Sequence, residues 1–531
     1  MKKNLSTFFF SLSAIGNESR AYFYLSLKER RLCLTLLLMS IFYTSSIWIY
    51  NDFFADDLNR SMIGYGFNEA GRIFASAIFW VLSAGSPFAD ISPLPLFLGL
   101  ASLCYGLTCY ARRYLPEDCS LFIKIGCLFP FIASPFLIHN FSYKYDALSM
   151  SLSLSVILMI FSFKADRPWR SVLFLFFSLG LYQASMHLFL VLSIVEWIFS
   201  VSRHTDNLRK SKVSIGKRLL EFFVGLVVYL MLSKFLSSSA YAPYAMRHSE
   251  LGFSSTGLLV LMALNFKSYL QLFFLGLTPN ILILCLPAIA FACKLKSALK
   301  NLSFSMHFWV CSSPLFMILA SFLCFLCLKN PIFLPRVMTG FSGVTLFFGL
   351  CLAHLAKENR YWGFLVIPMI GFSFVYSFAY GNGLKAQHQY EYFIDAQIAE
   401  AISNLNLKIS SISVEGEPPL SNQSRLLFIK FPILTPIILN SGWSAWQISA
   451  RLENDGIVYI HEEQKPLNYF NPNPVFSNQF FSLYQKNADL LILFKTEYNP
   501  LPKSTIHDPT AFLSQRIQTS WGRALGKERS Q

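Results

Sequence analysis

Long apolar segments separated by short polar loops run through the chain from residue 32 to residue 380. Most of them reach the roughly 20 apolar residues that a membrane-spanning helix needs. A further stretch, 71–88, is shorter and ends in Gly85, Ser86 and Pro87, but its apolar residues recur near helical spacing, which predicts a helix lying along the membrane face. The pattern therefore predicts about eleven membrane-spanning helices, at 32–50, 93–111, 119–138, 146–163, 169–184, 187–202, 219–236, 270–293, 303–328, 336–356 and 361–380.

The charged loops support this arrangement. When the eleven segments alternate across the membrane, most basic loops fall on one side, namely 112–113, 164–170, 203–218, 294–300 and 357–360. Cytoplasmic loops of membrane proteins are enriched in Lys and Arg. The sequence therefore predicts a cytoplasmic N-terminal segment, residues 1–31, with no cleavable signal, and a C-terminus on the outer side. If 71–88 also crossed the membrane, Arg112 and Arg113 would move to the outer side.

Residues 385–531 are more polar and predict a separate, small α+β domain. A helix is expected over 391–404, because Ile394, Ile398, Ala401 and Ile402 share one helical face. Short β-rich runs separated by Pro, Asn and Gly then predict strands at 426–431, 446–452, 456–460 and 490–494.

Composition agrees with a polytopic membrane protein. The 531 residues are 54% hydrophobic and only 14% charged, which leaves too little polar surface for a soluble protein of this length. The net charge is +15, but residues 381–531 carry 13 basic and 13 acidic side chains, so the whole excess lies before residue 381. Basic loops facing anionic lipid explain this distribution better than nucleic-acid binding does.

The first external loop, 51–92, carries the most informative polar residues. Asp56 and Asp57 are adjacent carboxylates, and either can act as a general base or a metal ligand. Arg60 and Arg72 can hold a phosphate at headgroup depth, with Glu69 nearby. The alternative is a solvated loop, in which Arg60 is a plain salt-bridge partner one helical turn after the acids.

Further polar residues belong to the same predicted side. Lys144 and Asp146 lie between tyrosines in one external turn, and Tyr182 and Gln183 lie in another. Aromatic rings beside polar groups suit stacking on a sugar ring, but they equally suit the interfacial belt of a membrane protein. Arg336, at the mouth of a span, either binds a phosphate or extends its charge towards the interface.

The sequence argues against several kinds of enzyme chemistry. The nine histidines show no HxxxH or HExxH spacing, which argues against a dedicated zinc site. There is no P-loop, no GxGxxG before a helix and no GxSxG motif, which argues against nucleotide hydrolysis, dinucleotide chemistry and serine hydrolysis. The sequence requires no cofactor. A divalent metal would be compatible with the paired acids, but nothing in the sequence demands one.

The order of three short segments resembles the Gtr-type serotype-converting O-antigen glucosyltransferases. These segments are Asp56-Asp57-Leu58-Asn59-Arg60, then Gly71-Arg72, then 90–94 at the opening of the next span. The turns at 143–150 and 181–185 are also similar to that family. The resemblance covers roughly residues 30–380, the expected transmembrane glycosyltransferase domain, and the C-terminal domain adds little to it.

The resemblance implies a polytopic enzyme of the GT-C type in the bacterial inner membrane, with a periplasmic active site and C-terminus. Such enzymes transfer glucose from undecaprenyl phosphate to a sugar of the lipopolysaccharide O-antigen, and they act with a separate flippase and a separate lipid-charging glucosyltransferase. The family's acidic motif corresponds to Asp56 and Asp57, either of which is then the catalytic base. The candidate donor-phosphate or substrate-binding residues are Arg60, Glu69, Arg72, Lys144, Asp146, Tyr182, Gln183 and Arg336.

Two other functions stay open on the sequence alone. An O-antigen polymerase or ligase would also have many spans, but such enzymes usually place arginine-rich loops later in the chain. A polysaccharide or lipid flippase would direct charges into a cavity among its spans, and the middles of these apolar segments contain almost none.

Overall fold

A computed structural model describes residues 24–163, 168–203, 208–236, 248–252, 257–298, 304–405, 409–416, 420–439, 444–457, 461–462 and 465–495. In this part the chain is mostly helical, with several long apolar helices and a small sheet near the C-terminus. The predicted helical class and the C-terminal α+β element are therefore confirmed.

The helices that precede the C-terminal sheet include long apolar ones and short ones in the loops. They are α1 Leu27–Tyr43, α2 Ser45–Trp48, α3 Asp57–Ile63, α4 Ile73–Leu82, α5 Leu94–Tyr114, α6 Leu121–Ile132, α7 Ile138–Phe141, α8 Ala147–Ser162, α9 Pro168–Leu181, α10 Met186–Arg203, α11 Leu208–Leu236, α12 Leu258–Ala298, α13 Phe304–Ala320, α14 Gly340–Glu358 and α15 Val366–Asn404.

Length and composition make five described helical stretches able to cross a membrane, namely Leu94–Tyr114, Gln183–Val201, Leu258–Leu277, Gly340–Glu358 and Arg360–Asn404. Shorter apolar helices pack beside them. Almost all side chains of α14 are buried, so this helix lies at the centre of the bundle. By contrast, α1 exposes Leu34, Leu38 and Phe42 on its outer face, as expected for a helix that contacts lipid.

Helices α5 and α8 approach each other closely because small residues meet between them. A Cβ atom added at Gly106 would lie 2.6 Å from Ser155 Oγ and 3.0 Å from Ser155 Cα. Small residues let helix backbones pack tightly in a bilayer, where apolar side chains gain little by leaving lipid. This contact holds α8, which begins directly after the site residue Asp146, against α5.

The stretch 71–88 contains a helix, as its spacing predicted. Helix α4 has only ten residues, and it buries Ala75 and Phe79 while it exposes Ala77, Trp80 and Val81. Its buried face packs with Phe67, Phe88 and Tyr145 in a small apolar cluster outside the main core. The outward apolar face is consistent with a helix lying on a membrane.

The C-terminal region contains three further helices, α16 Asn422–Lys430, α17 Leu434–Ile438 and α18 Ala445–Asn454. The predictions of strands at 426–431 and 446–452 were therefore wrong. Ser421 and Ser444 provide helix N-caps just before these segments. In α18, Ile448 and Leu452 are four residues apart and both enter the core, which is a helical spacing rather than an alternating one.

The strands are β1 Ser411–Glu415, β2 His461–Glu462, β3 Phe476–Ser477, β4 Phe481–Lys486 and β5 Asp489–Phe494, in the order β2-β1-β5-β4-β3. Strand β1 is parallel to β2 and β5, while β4 is antiparallel to β5 and β3. The predicted strand at 490–494 is confirmed. Of the strand predicted at 456–460, residues 458–460 lie outside the described residues.

Helix α15 joins the bundle to the sheet. It continues through residue 385, where the sequence predicted the start of a separate domain. Ile394, Ile398, Ala401 and Ile402 all lie in the core beneath the sheet, as their spacing predicted. The last apolar helix of the bundle and the first helix of the C-terminal region are thus one element.

Candidate active site

A buried carboxylate anchors the first loop. Asp57, the first residue of α3, is fully buried and accepts hydrogen bonds from the backbone N–H groups of Phe54, at 3.3 Å, Lys144, at 2.9 Å, and Tyr145, at 3.4 Å. Burial, followed by the nearby charge of Asp56, raises the pKa of Asp57 well above its usual range, although the Lys144 N–H opposes this. Asp57 therefore fastens the loop to the turn before α8.

The other member of the acidic pair faces a different environment. The Asp56 side chain is 35% exposed, and its Oδ2 lies 3.0 Å from Nη2 of Arg60. This is the ion pair that the spacing of four residues predicted. Of the two adjacent acids, only Asp56 can meet a molecule that arrives from outside.

The Arg60 side chain is fixed by hydrogen bonds, aromatic rings and carboxylates. Its Nη1 donates to the carbonyl groups of Tyr65, at 3.2 Å, and Gly66, at 3.1 Å. The guanidinium carbon lies 4.1 Å from the ring centroid of Phe67 and 4.4 Å from that of Tyr65. A second carboxylate, Asp146, lies 3.9 Å away. The side chain is only 6% exposed, so its orientation is fixed by the loop.

Asp146 joins two arginines across the loop. The carboxylate forms a salt bridge with Arg72 and lies near Arg60, and its side chain is 5% exposed. The Arg72 guanidinium stacks over the ring of Tyr182, with its carbon 4.9 Å from the centroid. Gln183 Nε2 donates to the Ala70 carbonyl at 2.7 Å and so supports the same segment.

Arg336 completes the group from the far end of the chain. Its guanidinium donates to the Tyr143 hydroxyl and lies 5.2 Å from the centre of that ring. Its backbone carbonyl accepts from the Tyr182 hydroxyl at 2.8 Å and from Asn140 Nδ2 at 3.1 Å. We refer to Arg60, Arg72 and Arg336 with Asp56 and Asp146 as the arginine cluster.

Two predicted residues lie apart from the arginine cluster. The Lys144 ammonium pairs with Asp90 at 3.1 Å and lies 4.1 Å from the centre of the Phe53 ring. Its contribution near the arginines is its backbone N–H, which binds Asp57. Glu69 is exposed and makes no ion pair within the described part of the chain. These two side chains do not point to the same ligand as the arginines.

Sequence reasoning missed one supporting residue, Tyr229, while His139 belongs to the turn already predicted on the external side. Tyr229, in α11, donates to the Gly71 carbonyl at 3.0 Å and accepts from Gln183, so it braces the backbone beside Arg72. His139 is fully buried and lies parallel to the Tyr143 ring. Burial and the charge of Arg336 lower the pKa of His139 well below its usual range. A tyrosine hydroxyl within the apolar segment 219–236 was the available signal for Tyr229. Its hydrogen-bond partners could not be predicted from the sequence.

The first loop also contacts the C-terminal region. Asp52 Oδ2 accepts from Nδ1 of His388 at 2.9 Å, and its Oδ1 accepts from the Tyr392 hydroxyl at 2.6 Å. Both partners belong to α15. Burial by itself would raise the pKa of Asp52, but the His388 and Tyr392 contacts outweigh it and lower the pKa to about 2.

This contact predicts a pH dependence. Because the pKa of folded Asp52 lies below its ordinary value of 3.8, the ionised carboxylate stabilises the contact at neutral pH, and that stabilisation is lost as the pH falls from 3.8 towards 2. We expect Asp52→Asn to lower the free energy of unfolding by about 2 kcal/mol at pH 7. Thermal unfolding in detergent between pH 7 and pH 3 measures this. An unchanged unfolding transition of Asp52→Asn at pH 7 would contradict this prediction. As a control, Tyr392→Phe removes one neutral hydrogen-bond donor and should lower the free energy of unfolding by less than Asp52→Asn does.

The arrangement combines two chemical abilities. The arginine cluster offers guanidinium groups that can bind a phosphate, and it places one accessible carboxylate, Asp56, directly beside them. Among the described residues, no group of three His, Cys, Asp or Glu side chains is placed to hold a metal ion. The described geometry thus favours recognition of an anion next to a proton acceptor.

Comparisons with known proteins identify the family. Residues 45–347, which contain the whole arginine cluster and more than half of the chain, match the family described as Glucosyl transferase GtrII. An uncharacterized 55.3 kDa protein in the gtrB 5' region of Salmonella phage P22 is 27% identical over 437 residues, covering 76% of this chain and 86% of that protein. No solved structure matches the chain at a significant level. The resemblance noted in the loop motifs is confirmed, and the chain belongs to the GtrII family of glucosyl transferases.

Proposed function

We propose that this glucosyltransferase moves glucose from undecaprenyl-phosphate-glucose to a sugar of the lipopolysaccharide O-antigen at the periplasmic face of the inner membrane. Family membership supports transfer of glucose. The relative's position beside gtrB in a Salmonella phage supports a surface polysaccharide as the acceptor. The several long apolar helices support a substrate that is itself in the membrane.

The observation that carries the proposal is the ion pair of Asp56 with Arg60 inside the arginine cluster. A transferase that uses a lipid-linked phosphate must bind the phosphate and remove a proton from the acceptor hydroxyl. The 3.0 Å contact places a carboxylate and a guanidinium side by side, and Asp56 is accessible from outside. One site therefore holds both required groups.

The reaction then follows from these groups. The acceptor hydroxyl oxygen forms a bond to the anomeric carbon of glucose while the bond from that carbon to the phosphate oxygen breaks. Asp56 accepts the hydroxyl proton, and undecaprenyl phosphate leaves with the electron pair. Arg60, Arg72 and Arg336 stabilise the charge that develops on the phosphate. No metal is needed for this balance of atoms and charges.

Donor binding also prepares the base. In the structure, Arg60 is shared among Asp56, Asp146 and two backbone carbonyls. A phosphate that binds Arg60 competes with Asp56 for the guanidinium and frees the carboxylate from its ion pair. The acceptor hydroxyl can then take the place of the guanidinium as the hydrogen-bond partner of Asp56.

The proposal includes a topology of eleven spans with a cytoplasmic N-terminus, as the basic loops predict. A reporter that is active only outside the cytoplasm, fused after Gln531, should be active, whereas a cytoplasmic reporter at the same position should not. A fusion after Lys164, in a predicted cytoplasmic loop, is the matched control and should give the reverse pattern. The opposite result at Gln531 would exclude an odd number of spans from a cytoplasmic start, and the opposite result at both fusion points would place Asp56 on the cytoplasmic side.

The activity is tested directly with full-length protein in proteoliposomes that contain undecaprenyl-phosphate-glucose and receive O-antigen polysaccharide. We expect glucose to appear on the polysaccharide only when both substrates are present. Chain lengthening without glucosylation would indicate a polymerase or ligase, and movement of the lipid across the bilayer without chemistry would indicate a flippase. In cells, a separate lipid-charging enzyme and a separate flippase would supply the donor.

A further inference from the structure

An open cleft lies between the first loop and the C-terminal region. Residues 53–59 form one wall, and α15 and α18 form the other. The Asp52 contacts with His388 and Tyr392 close one end. The cleft is separate from the arginine cluster, but both are built on the same short segment of the loop.

Aromatic side chains are the first notable feature of this cleft. Phe53, Tyr392 and Trp446 all line it. Trp446 is half-buried, and within the described part of the chain its ring pairs with no other aromatic ring and its indole N–H donates no hydrogen bond. An indole that is partly withdrawn from water and unused by the fold offers a flat apolar face and a hydrogen-bond donor to a ligand.

The polar residues define what such a ligand can be. Asn59 lines the cleft and its amide makes no hydrogen bond within the described residues. Glu391 is buried at the cleft wall, with one oxygen 3.1 Å from Gln387 Nε2. The charge of Arg451 is balanced by Asp395, at 2.5 Å. An amide, a carboxylate and aromatic faces suit the hydroxyl groups and C–H faces of a neutral sugar.

The same residues argue against two other occupants. A phosphate would meet the Glu391 carboxylate, while the two basic side chains that line the cleft, Arg451 and His388, are already paired with Asp395 and Asp52. A lipid chain would cover the Asn59 amide and the Trp446 indole N–H without giving either a hydrogen-bond partner. The phosphate-binding groups lie in the arginine cluster instead.

We propose that this cleft binds a neutral sugar of the acceptor polysaccharide, with Trp446 as the stacking surface and Asn59 as a hydrogen-bonding group. This inference rests on the proposed function for the identity of the polysaccharide. Ala55 lines the cleft and is the residue next to Asp56. An acceptor bound there would therefore lie beside the loop segment that carries the base.

The test uses full-length protein and delipidated O-antigen polysaccharide from a strain that lacks this gene. Trp446→Ala should raise the acceptor KM and weaken polysaccharide binding by about tenfold, and it should leave the donor KM within about twofold. Trp446→Phe should weaken polysaccharide binding by less than Trp446→Ala does, because an aromatic face remains. As a control, Trp169→Ala removes an exposed tryptophan at the start of α9 and should change neither the acceptor KM nor polysaccharide binding.

Direct binding without donor separates this inference from the proposed function. If wild-type protein binds the polysaccharide and Trp446→Ala does not, the cleft assignment holds even where no glucose is transferred. Unchanged binding and acceptor KM in folded Trp446→Ala would overturn it, as would a change confined to the donor KM. Should Trp446→Ala unfold, Asn59→Ala, which removes an amide without partners in the described residues, gives the same readout with an expected loss of about fivefold.

Discussion

Asp56→Asn should reduce glucosyl transfer by about 10²–10⁴-fold while the protein remains at normal abundance in the membrane. The amide keeps the size of the side chain and can still meet Arg60, but it cannot accept the proton of the acceptor hydroxyl. Because the side chain is partly exposed and bonds only to Arg60 among the described residues, the fold should tolerate the change. Glucosylation of O-antigen in cells, with membrane protein quantified in parallel, measures the effect.

Asp57→Asn is the matched control for this experiment. Its carboxylate accepts three backbone N–H groups in the interior, and an amide would direct its own N–H group at one of them. We therefore expect reduced stability, by about 1–3 kcal/mol, and lower abundance rather than an intact but inactive protein. Normal glucosylation by Asp56→Asn at normal abundance would remove Asp56 as the base, and the same result for both variants would leave the acids without a catalytic role.

The second large effect concerns Asp146. Asp146→Ala would leave Arg72 and the nearby Arg60 without their shared buried carboxylate, and breaking a buried ion pair from one side typically costs about 3–5 kcal/mol. We expect a lower unfolding temperature and much less protein in the membrane. Asp146→Asn keeps an acceptor for Arg72 and should cost less. Thermal unfolding of purified protein in detergent distinguishes these outcomes.

An exposed ion pair supplies the control. Glu250 and Lys329 lie 2.8 Å apart with both side chains about half exposed, so Glu250→Ala should cost no more than about 1 kcal/mol. If Asp146→Ala and Glu250→Ala lowered the unfolding temperature equally, the buried network would not be what holds the first loop in place.

Local spacing predicted the contacts within a helical turn but not those between distant segments. Asp56 and Arg60 are four residues apart, so their ion pair could be expected from the sequence. The contacts of Arg72 with Asp146, and of Arg336 with Tyr143, join residues 74 and 193 positions apart. Only the packing of the helices brings them together. The family resemblance indicated that these residues matter, while the structure shows how they meet.

The sequence could not show which of the two adjacent acids is accessible. Asp56 and Asp57 have the same chemistry, and no pattern in the sequence separates the accessible acid from the buried one. The direction of α3 decides it, since consecutive helical side chains point about 100° apart. The wrong strand predictions at 426–431 and 446–452 have a related cause, because short segments with several apolar residues occur both in strands and in helices. The capping residues Ser421 and Ser444, which mark the helix starts, precede these segments.

The uninterrupted helix α15 fixes the geometry of the whole enzyme. Its 39 residues extend for roughly 58 Å and carry the last apolar stretch of the bundle into the wall of the cleft beside the first loop. The C-terminal region therefore cannot swing on a flexible linker. Its distance from the bundle is set by the length of the helix and its rotation by helical phase, so a single extra residue near position 385 would turn the α15 and α18 wall of the cleft by about 100° relative to residues 53–59. The length of α15 thus sets how far the C-terminal region lies from the bundle, and its helical phase sets how that region is rotated.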